Sequence, residues 1–312
     1  MRRREFVSSG LGLAALAAAT RSVVAAALPN ASSPPAARIK FGYAAITWDG
    51  DDLTAITDIA SLGFPGIQLR ASAVTRWGNR PSELKELLAA NGLTMVALSS
   101  GVAALDPAKE QETIALHAQH ARFVRDVGGL YLQVVDERPR GREPGPDDFR
   151  RMGHLLTEIG RRTADLGVPL GLHNHMGNLS QSPAEVERVL EASDPKFVRL
   201  ELDVAHYHQA GGKPADAVRR HADRLLFLHI KDVESPVPGG RPGSYRFVEL
   251  GRGQVDLAGV FASLAAVGFD GWAIVELDSV PDGARTPKES GEIAKQYLRS
   301  RGLSIDPTSR SR

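Results

Sequence analysis

The sequence predicts one closed (β/α)8 TIM barrel, and three observations carry that expectation. Short apolar or β-branched runs alternate with amphipathic helical patterns about eight times between residues 39 and 303, which argues βαβ units around a parallel sheet. The chain of 312 residues can bury such a core without staples, and eight units of this size suit a closed barrel. The first strand is followed by Ala45-Ile46-Thr47-Trp48-Asp49, not by the Gly-rich phosphate loop that an open doubly wound sheet more often shows.

Each element has its own signal. A strand over Phe41–Ile46 precedes a helix over Asp52–Leu62, which Gly63 stops. The strand Gly66–Leu69 leads to the helix Ser82–Ala90, closed by Asn91-Gly92. Next come the strand Thr94–Leu98 and the helix Lys109–Val127, then the strand Leu130–Val134 and the helix Asp147–Leu166, ended by Gly167. The fifth and sixth units pair Pro169–Leu172 with Pro183–Ala192, and Val198–Leu202 with Pro214–Asp223. Strand seven, Leu225–Ile230, is followed by a long Pro/Gly-rich loop with Gly239-Gly240 and Gly251-x-Gly253, then a helix over Leu257–Val267. That loop either covers the barrel mouth or makes an ordinary surface excursion. The strand Trp272–Val275 and the helix Pro287–Ser300 complete the eighth unit.

The two ends read differently. Residues 1–27 combine Arg2-Arg3-Arg4, an apolar Gly/Ala/Leu stretch and Ala25-Ala26-Ala27, the layout of a cleaved secretory signal. The Arg3-Arg4 pair, one spacer and Phe6 resemble a twin-arginine signal, so the export machinery of that route is an expected partner. Arg21 leaves the apolar run shorter than a membrane span needs. The expected location is therefore periplasmic or secreted, with no membrane contact after cleavage. Residues 28–38, with Pro29, Pro34 and Pro35, read as a disordered linker, and residues 304–312 as a disordered tail.

Composition narrows the chemistry. The absence of cysteine excludes a thiol nucleophile, a Cys-ligated zinc and an iron–sulfur cluster. Formal net charge is +1 for the chain and −2 once residues 1–27 are removed, which argues against a nucleic-acid partner. Nine histidines remain as soft donors.

In a TIM barrel the chemistry sits where strands end. Those ends carry Trp48, Gln68 and Arg70, then Gln133 and Asp136, then His173-Asn174-His175. Strand six ends in Glu201-Leu202-Asp203, with His206 and His208 just beyond. Strand seven ends in His229-Ile230-Lys231-Asp232 and strand eight in Glu276-Leu277-Asp278. Residues two apart share a side of a strand, so His173 and His175, Glu201 and Asp203, and His229 and Lys231 can pair. Carboxylates and imidazoles converging on one mouth suit manganese, cobalt or zinc better than calcium. Asp203, His229 and Glu276 are the expected ligands. Some of these residues have plainer readings: Asp203 as a turn cap, Lys231 paired with Asp232, Glu201 turned into a helix interface. His117, His120, His154 and His221 fall on helical patterns and read as solvated faces.

The segments LGLHNHMG, RLELDVAHYHQAGG, LFLHIKDV, ELGRGQVDLAGV and GFDGWAIVELD resemble the xylose isomerase-like TIM-barrel superfamily, and within it the sugar phosphate isomerase/epimerase and inosose dehydratase group. The resemblance runs from about Ile39 to Leu303 and is most specific between His173 and Glu276. It implies one divalent metal, most often Mn2+, with Co2+, Zn2+ or Mg2+ as substitutes, held by Asp203, His229 and Glu276. It also implies an acidic fourth ligand on strand five. There this chain has His173, so either His173 or the strand-four residue Gln133 completes the shell. Only Glu276 remains of the proton-exchanging glutamate pair of the epimerases.

The implied activity is proton transfer beside the carbonyl of a small-molecule sugar, keto-sugar or cyclitol, with isomerisation or epimerisation as the leading expectation. The alternative is a lyase of inosose-dehydratase or keto-glycoside type, and a third reading is an exported sugar-binding barrel without catalysis. Expected roles are Glu276 as ligand and base, His173 or His206 as partner acid/base, and Lys231 as a hydroxyl contact. Trp48, Arg70, His175 and Asp232 are expected to shape the sugar pocket, and the protein to form a homo-oligomer or stay single.

Overall fold

The computed structural model describes residues 38–305 except 282 and 284. The expected signal segment, the expected linker up to residue 37 and the expected tail from residue 306 lie outside the described residues. A closed barrel is present. Its strands are β1 (Arg38–Ala44), β2 (Gly66–Arg70), β3 (Thr94–Ala103), β4 (Tyr131–Asp136), β5 (Leu170–His173), β6 (Val198–Asp203), β7 (Leu225–Ile230) and, as the eighth, β10 (Asp270–Val275). Consecutive strands pair in parallel, and β10 pairs with both β7 and β1 to close the ring. Among the described residues no helix is long and apolar enough to cross a membrane.

The connecting helices are α1 (Asp52–Leu62), α2 (Ser72–Trp77), α3 (Pro81–Ala90), α4 (Glu110–Val127), α5 (Pro146–Ala164), α6 (Pro183–Glu191), α7 (Val204–Gln209), α8 (Pro214–Arg220), α9 (Leu257–Ala266) and α10 (Pro287–Ser300). The eight expected helices are all there. Gly63 takes a left-handed φ of 87° as the C-cap of α1, a conformation that glycine adopts without strain. Two short helices, α2 and α7, and an antiparallel hairpin of β8 (Asp232–Glu234) and β9 (Arg246–Val248) went unforeseen. Such short pieces carry too few residues for a periodic signal.

Boundaries moved at both ends. β1 begins at Arg38, three residues before Phe41, and Ala45–Trp48 form a single 3-10 turn instead of continuing the strand. Ile305, read as tail, is buried. His117 and His120 are not solvated: they are 0% and 7% exposed, and Ser100 Oγ lies 2.6 Å and 2.8 Å from their Nδ1 atoms. They are polar residues satisfied within the β3–α4 interface.

The large apolar core lies between sheet and helices, and a smaller cluster of Ala44, Val96, Ala97, Phe227, Trp272 and Ile274 packs separately. A Cβ on Gly66 would come within 2.4 Å of the Trp272 ring, so only glycine admits the indole here. Alternation along β7 and β10 then lifts His229 and Lys231 above Phe227, and Glu276 above Trp272 and Ile274. An apolar floor thus underlies a polar mouth.

Candidate metal and substrate site

Asp203 ends β6 and caps α7. Its Oδ1 accepts from the backbone N–H groups of Ala205 and His206, at 2.8 Å each, as an N-cap aspartate does. Asn174 clamps the same residue, its Oδ1 accepting from Asp203 N at 2.9 Å and its Nδ2 donating to Asp203 O at 3.1 Å. The cap reading and the ligand reading are therefore both met, because the second oxygen, Oδ2, faces His229 Nδ1 at 3.6 Å. Glu276 Oε2 approaches the same Nδ1 at 3.0 Å. Donor atoms of Asp203, His229 and Glu276 all lie within 4.8 Å of one another, and each residue is buried.

This trio fits a divalent cation. Asp203 Oδ2 and His229 Nδ1 are buried without a hydrogen-bond partner, which is costly unless something else satisfies them. Two carboxylates balance a 2+ charge, and a mixed N/O donor set is suited to Mn2+, Co2+ or Zn2+. Burial opposes the charges on Asp203 and Glu276. The groups around them outweigh it and hold both carboxyls below the usual range: the His206 imidazole and the Lys231 ammonium act on Asp203, and His229 and Lys231 act on Glu276.

The other face of His229 is also ordered. Its Nε2 lies 2.9 Å from Gln68 Oε1 and 2.7 Å from Glu201 Oε1, and Gln68 Nε2 donates to Gln133 Oε1 at 2.7 Å. Gln133 is thus engaged on the Nε2 side of the ring, while the ligand trio gathers at Nδ1. Glu201 does not turn into a helix interface; it is fully buried behind the two histidines His229 and His173. Burial opposes its charge, but those imidazoles hold it below the usual range.

His173 Nδ1 sits 3.3 Å from Glu201 Oε1, leaving Nε2 on the opposite edge of the ring. His175 Nδ1 is paired with Met176 O at 2.7 Å, and His206 Nδ1 accepts from Met176 N at 3.2 Å. His173, His175 and His206 also lie close enough to hold an ion together, but His206 fails as a ligand there. With Nδ1 accepting, a neutral imidazole carries its proton on Nε2 and has no lone pair left to give. Burial keeps His206 neutral by pushing its pKa well below the usual value, against the pull of Asp203. His206 is therefore a neutral N–H donor, with Nε2 4.0 Å from Asp203 Oδ2 and 3.4 Å from Lys231 Nζ.

Lys231 is fully enclosed and does not pair with Asp232. Its ammonium donates to Glu276 Oε2 at 2.9 Å and Asp278 Oδ1 at 2.6 Å, and stands 3.9 Å from the Phe247 ring centroid. Burial opposes its charge, and the carboxylates of Glu276, Asp203 and Asp278 raise its pKa. Asp278 thereby joins the site, as the period-two spacing from Glu276 allows. Phe247 joins from β9, with its ring 4.8 Å from that of His206, so the loop after strand seven does cover part of the mouth. Nothing local in the sequence marks Phe247.

Two of the expected pocket residues, Asp232 and Trp48, are engaged by other groups. Asp232 accepts from the N–H groups of Val233, Gly251, Gly253 and Val255 at 2.9–3.0 Å. Its lone pairs are spent on the Gly251-x-Gly253 turn, where a Cβ on Gly253 would meet Asp232 Oδ1 at 2.3 Å. Trp48 is buried against Tyr43, with its indole N–H donated to Asp58 Oδ2 at 2.9 Å. Arg70 is exposed at the end of β2. Asp136, at the end of β4, accepts twice from Ser180 N, at 3.0 and 3.1 Å, and so pins the loop that carries His175. Its full burial pushes its pKa up to about 6.

Comparison with known proteins identifies the fold and the family. The chain is 27% identical over 297 residues to an inosose dehydratase of Lacticaseibacillus casei, covering 83% of this chain and 96% of that protein. It is also 27% identical over 296 residues to the rhizopine catabolism protein MocC of Rhizobium meliloti, covering 82% of this chain and 88% of that one. Among solved structures, a zinc-bound IOLI protein superposes with a TM-score of 0.71 at 17% identity, over 87% of this chain and all of that one. A probable 3-DHS dehydratase, AsbF of Bacillus anthracis, gives 0.68 at 16%, over 83% of this chain and 98% of that one. The family model for the xylose isomerase-like TIM barrel matches residues 56–300, and the chain belongs to that family.

Proposed function

We propose that this protein is a divalent-metal-dependent lyase that eliminates water or a glycosidic oxygen from beside the carbonyl of a keto-cyclitol or keto-sugar. The observation that carries this reading is the pair of histidines with opposite proton roles. We read His173, whose Nδ1 faces Glu201 Oε1 at 3.3 Å, as accepting through Nε2, while the Met176 N–H on His206 Nδ1 leaves His206 Nε2–H to donate. Elimination needs that division: one group takes the α-proton and another protonates the departing oxygen. The inosose dehydratases among the relatives, whose name describes loss of water from a keto-cyclitol, support the same order of readings.

Asp203, His229 and Glu276 would hold the cation, for which we propose Mn2+. When bound it supplies Lewis-acid stabilisation of charge growing on the substrate carbonyl oxygen. His173 accepts the proton from the α-carbon. That C–H electron pair becomes the new carbon–carbon double bond as the β carbon–oxygen bond breaks, and His206 delivers its proton to the leaving oxygen. Lys231, locked by Glu276 and Asp278, offers a fixed positive charge to a substrate hydroxyl. Phe247 covers Lys231 and His206 and excludes water from them. Residues 1–27 are proposed as an export signal, which makes an unphosphorylated sugar or glycoside the expected substrate class.

Isomerisation or epimerisation is the second reading. It would return the proton to carbon through one shuttling group, and the single glutamate left for that task, Glu276, is tied to His229 and Lys231. Incubation of the Mn2+-loaded protein with inosose and with 3-keto-glycosides in deuterated water separates the two. Release of water or aglycone supports the lyase. A rearranged sugar carrying deuterium would replace it with the isomerase, and no reaction or exchange would leave a binding protein.

A further inference from the structure

Glu201 is used by none of these steps, yet it is fully buried in the wall of the mouth. It stands two residues before Asp203 on β6 and so shares its side of the strand, one layer deeper. Across the β5–β6 ladder it is in register with His173. Its Oε1 is 2.7 Å from His229 Nε2 and 3.3 Å from His173 Nδ1. Among the described residues no backbone amide or hydroxyl donates to either of its oxygens. Gly171 leaves the space it occupies, since a Cβ there would stand 3.3 Å from Glu201 Cβ. A buried carboxylate without donors is not tolerated, so the two imidazole N–H groups are what it is there to receive.

We propose that Glu201 is a positioning residue serving both histidines at once, turning His229 so that Nδ1 faces the cation and His173 so that Nε2 faces the substrate. This rests on reading Asp203, His229 and Glu276 as ligands. Gln68 alone could not impose the arrangement. Gln68 and Gln133 are amides that can each flip end for end, reversing the chain of hydrogen bonds that runs to His229 Nε2. An ionised carboxylate only accepts, so Glu201 gives that chain one direction. It also supplies from β6, one layer down, the negative charge that His173 does not bring from β5. The proton acceptor facing the substrate is then an imidazole backed by a carboxylate.

The test is Glu201→Gln, which keeps the shape but brings an N–H donor to the two rings. Zn2+ and Mn2+ affinities are measured by calorimetry, and the ring protonation of His173 and His229 by nitrogen NMR of the Zn2+-loaded protein. Wild-type protein is expected to show His229 protonated at Nε2 and His173 at Nδ1. The variant should bind both ions about 10–100-fold more weakly, with the proton on His173 or His229 redistributed between its two nitrogens. Equal affinity and unchanged ring protonation in the variant would overturn the proposal while leaving the metal reading intact. Wild-type protein that binds neither ion overturns both. If the variant does not fold, the wild-type rings decide alone: a proton on His229 Nδ1, or on His173 Nε2, rejects the role of Glu201.

Discussion

At the scale of single residues, the site works by dividing each polar side chain between two tasks. Asp203 uses one oxygen to start α7 and the other to face His229. Asn caps helices as well as Asp does, so Asp203→Asn should fold with wild-type stability to within about 1 kcal/mol. It should nevertheless bind Mn2+ at least about tenfold more weakly, because one of the two balancing charges is gone. Calorimetry beside a thermal melt reads both, and an unchanged Mn2+ affinity would remove Asp203 from the ligand set. His206 is held by Met176 as a neutral N–H donor. His206→Gln should lower kcat about 10²–10⁴-fold for a poor leaving group, and far less for a nitrophenolate, which departs without a proton. Equal losses on the two substrates would show that His206 is not the acid.

At the scale of elements, each connection places one component. The β8–β9 hairpin carries Phe247 over Lys231, and the four N–H groups given to Asp232 hold that hairpin's return path. The β3–α4 interface illustrates a different cost. Burial of His117 there pushes its pKa down to about 4, while an unfolded chain protonates it at its ordinary value. Between the two values the unfolded state binds the extra proton, so stability is full above about pH 6.5 and falls as pH drops toward 4, by about 3 kcal/mol. His117→Gln should flatten that part of the stability–pH curve. Urea melts at pH 7 and pH 4.5 test it, and an equal acid loss in both proteins would assign the effect to other groups.

At the scale of the whole molecule, the site draws on strands that meet only because the barrel closes. Asp203 comes from β6, His229 from β7 and Glu276 from just beyond β10, and β10 pairs directly with β7. A cation held across these strands binds the folded state alone. At a hundred times its dissociation constant it should add about 2.7 kcal/mol, or roughly 5–10 °C in Tm for a domain of this size. Melting curves with Mn2+ and with a chelator measure this, and coincident curves would count against the trio as a metal site.

Much of this was legible in the chain itself. Strand and helix periodicities, and glycines such as Gly63 and Gly167 at helix ends, are local properties, so the barrel and its order of elements could be read directly. The strand-end rule then located His173, Asp203, His229, Lys231 and Glu276, because two-residue alternation and strand order fix which side chains reach the mouth. What a residue does once there was not legible. Asp232 and Lys231 are adjacent in sequence, but one is consumed by backbone amides of a later turn and the other by carboxylates beyond β10. Trp48 sits at a strand end and still turns into the core. Phe247 arrives on a hairpin too short to predict, and the burial of Glu201 between two imidazoles depends on three strands lying side by side. Hydrogen-bond partners are chosen by proximity in space among groups far apart in sequence, so the chain determined which groups reach the mouth, and only the closed barrel decided which atoms face one another.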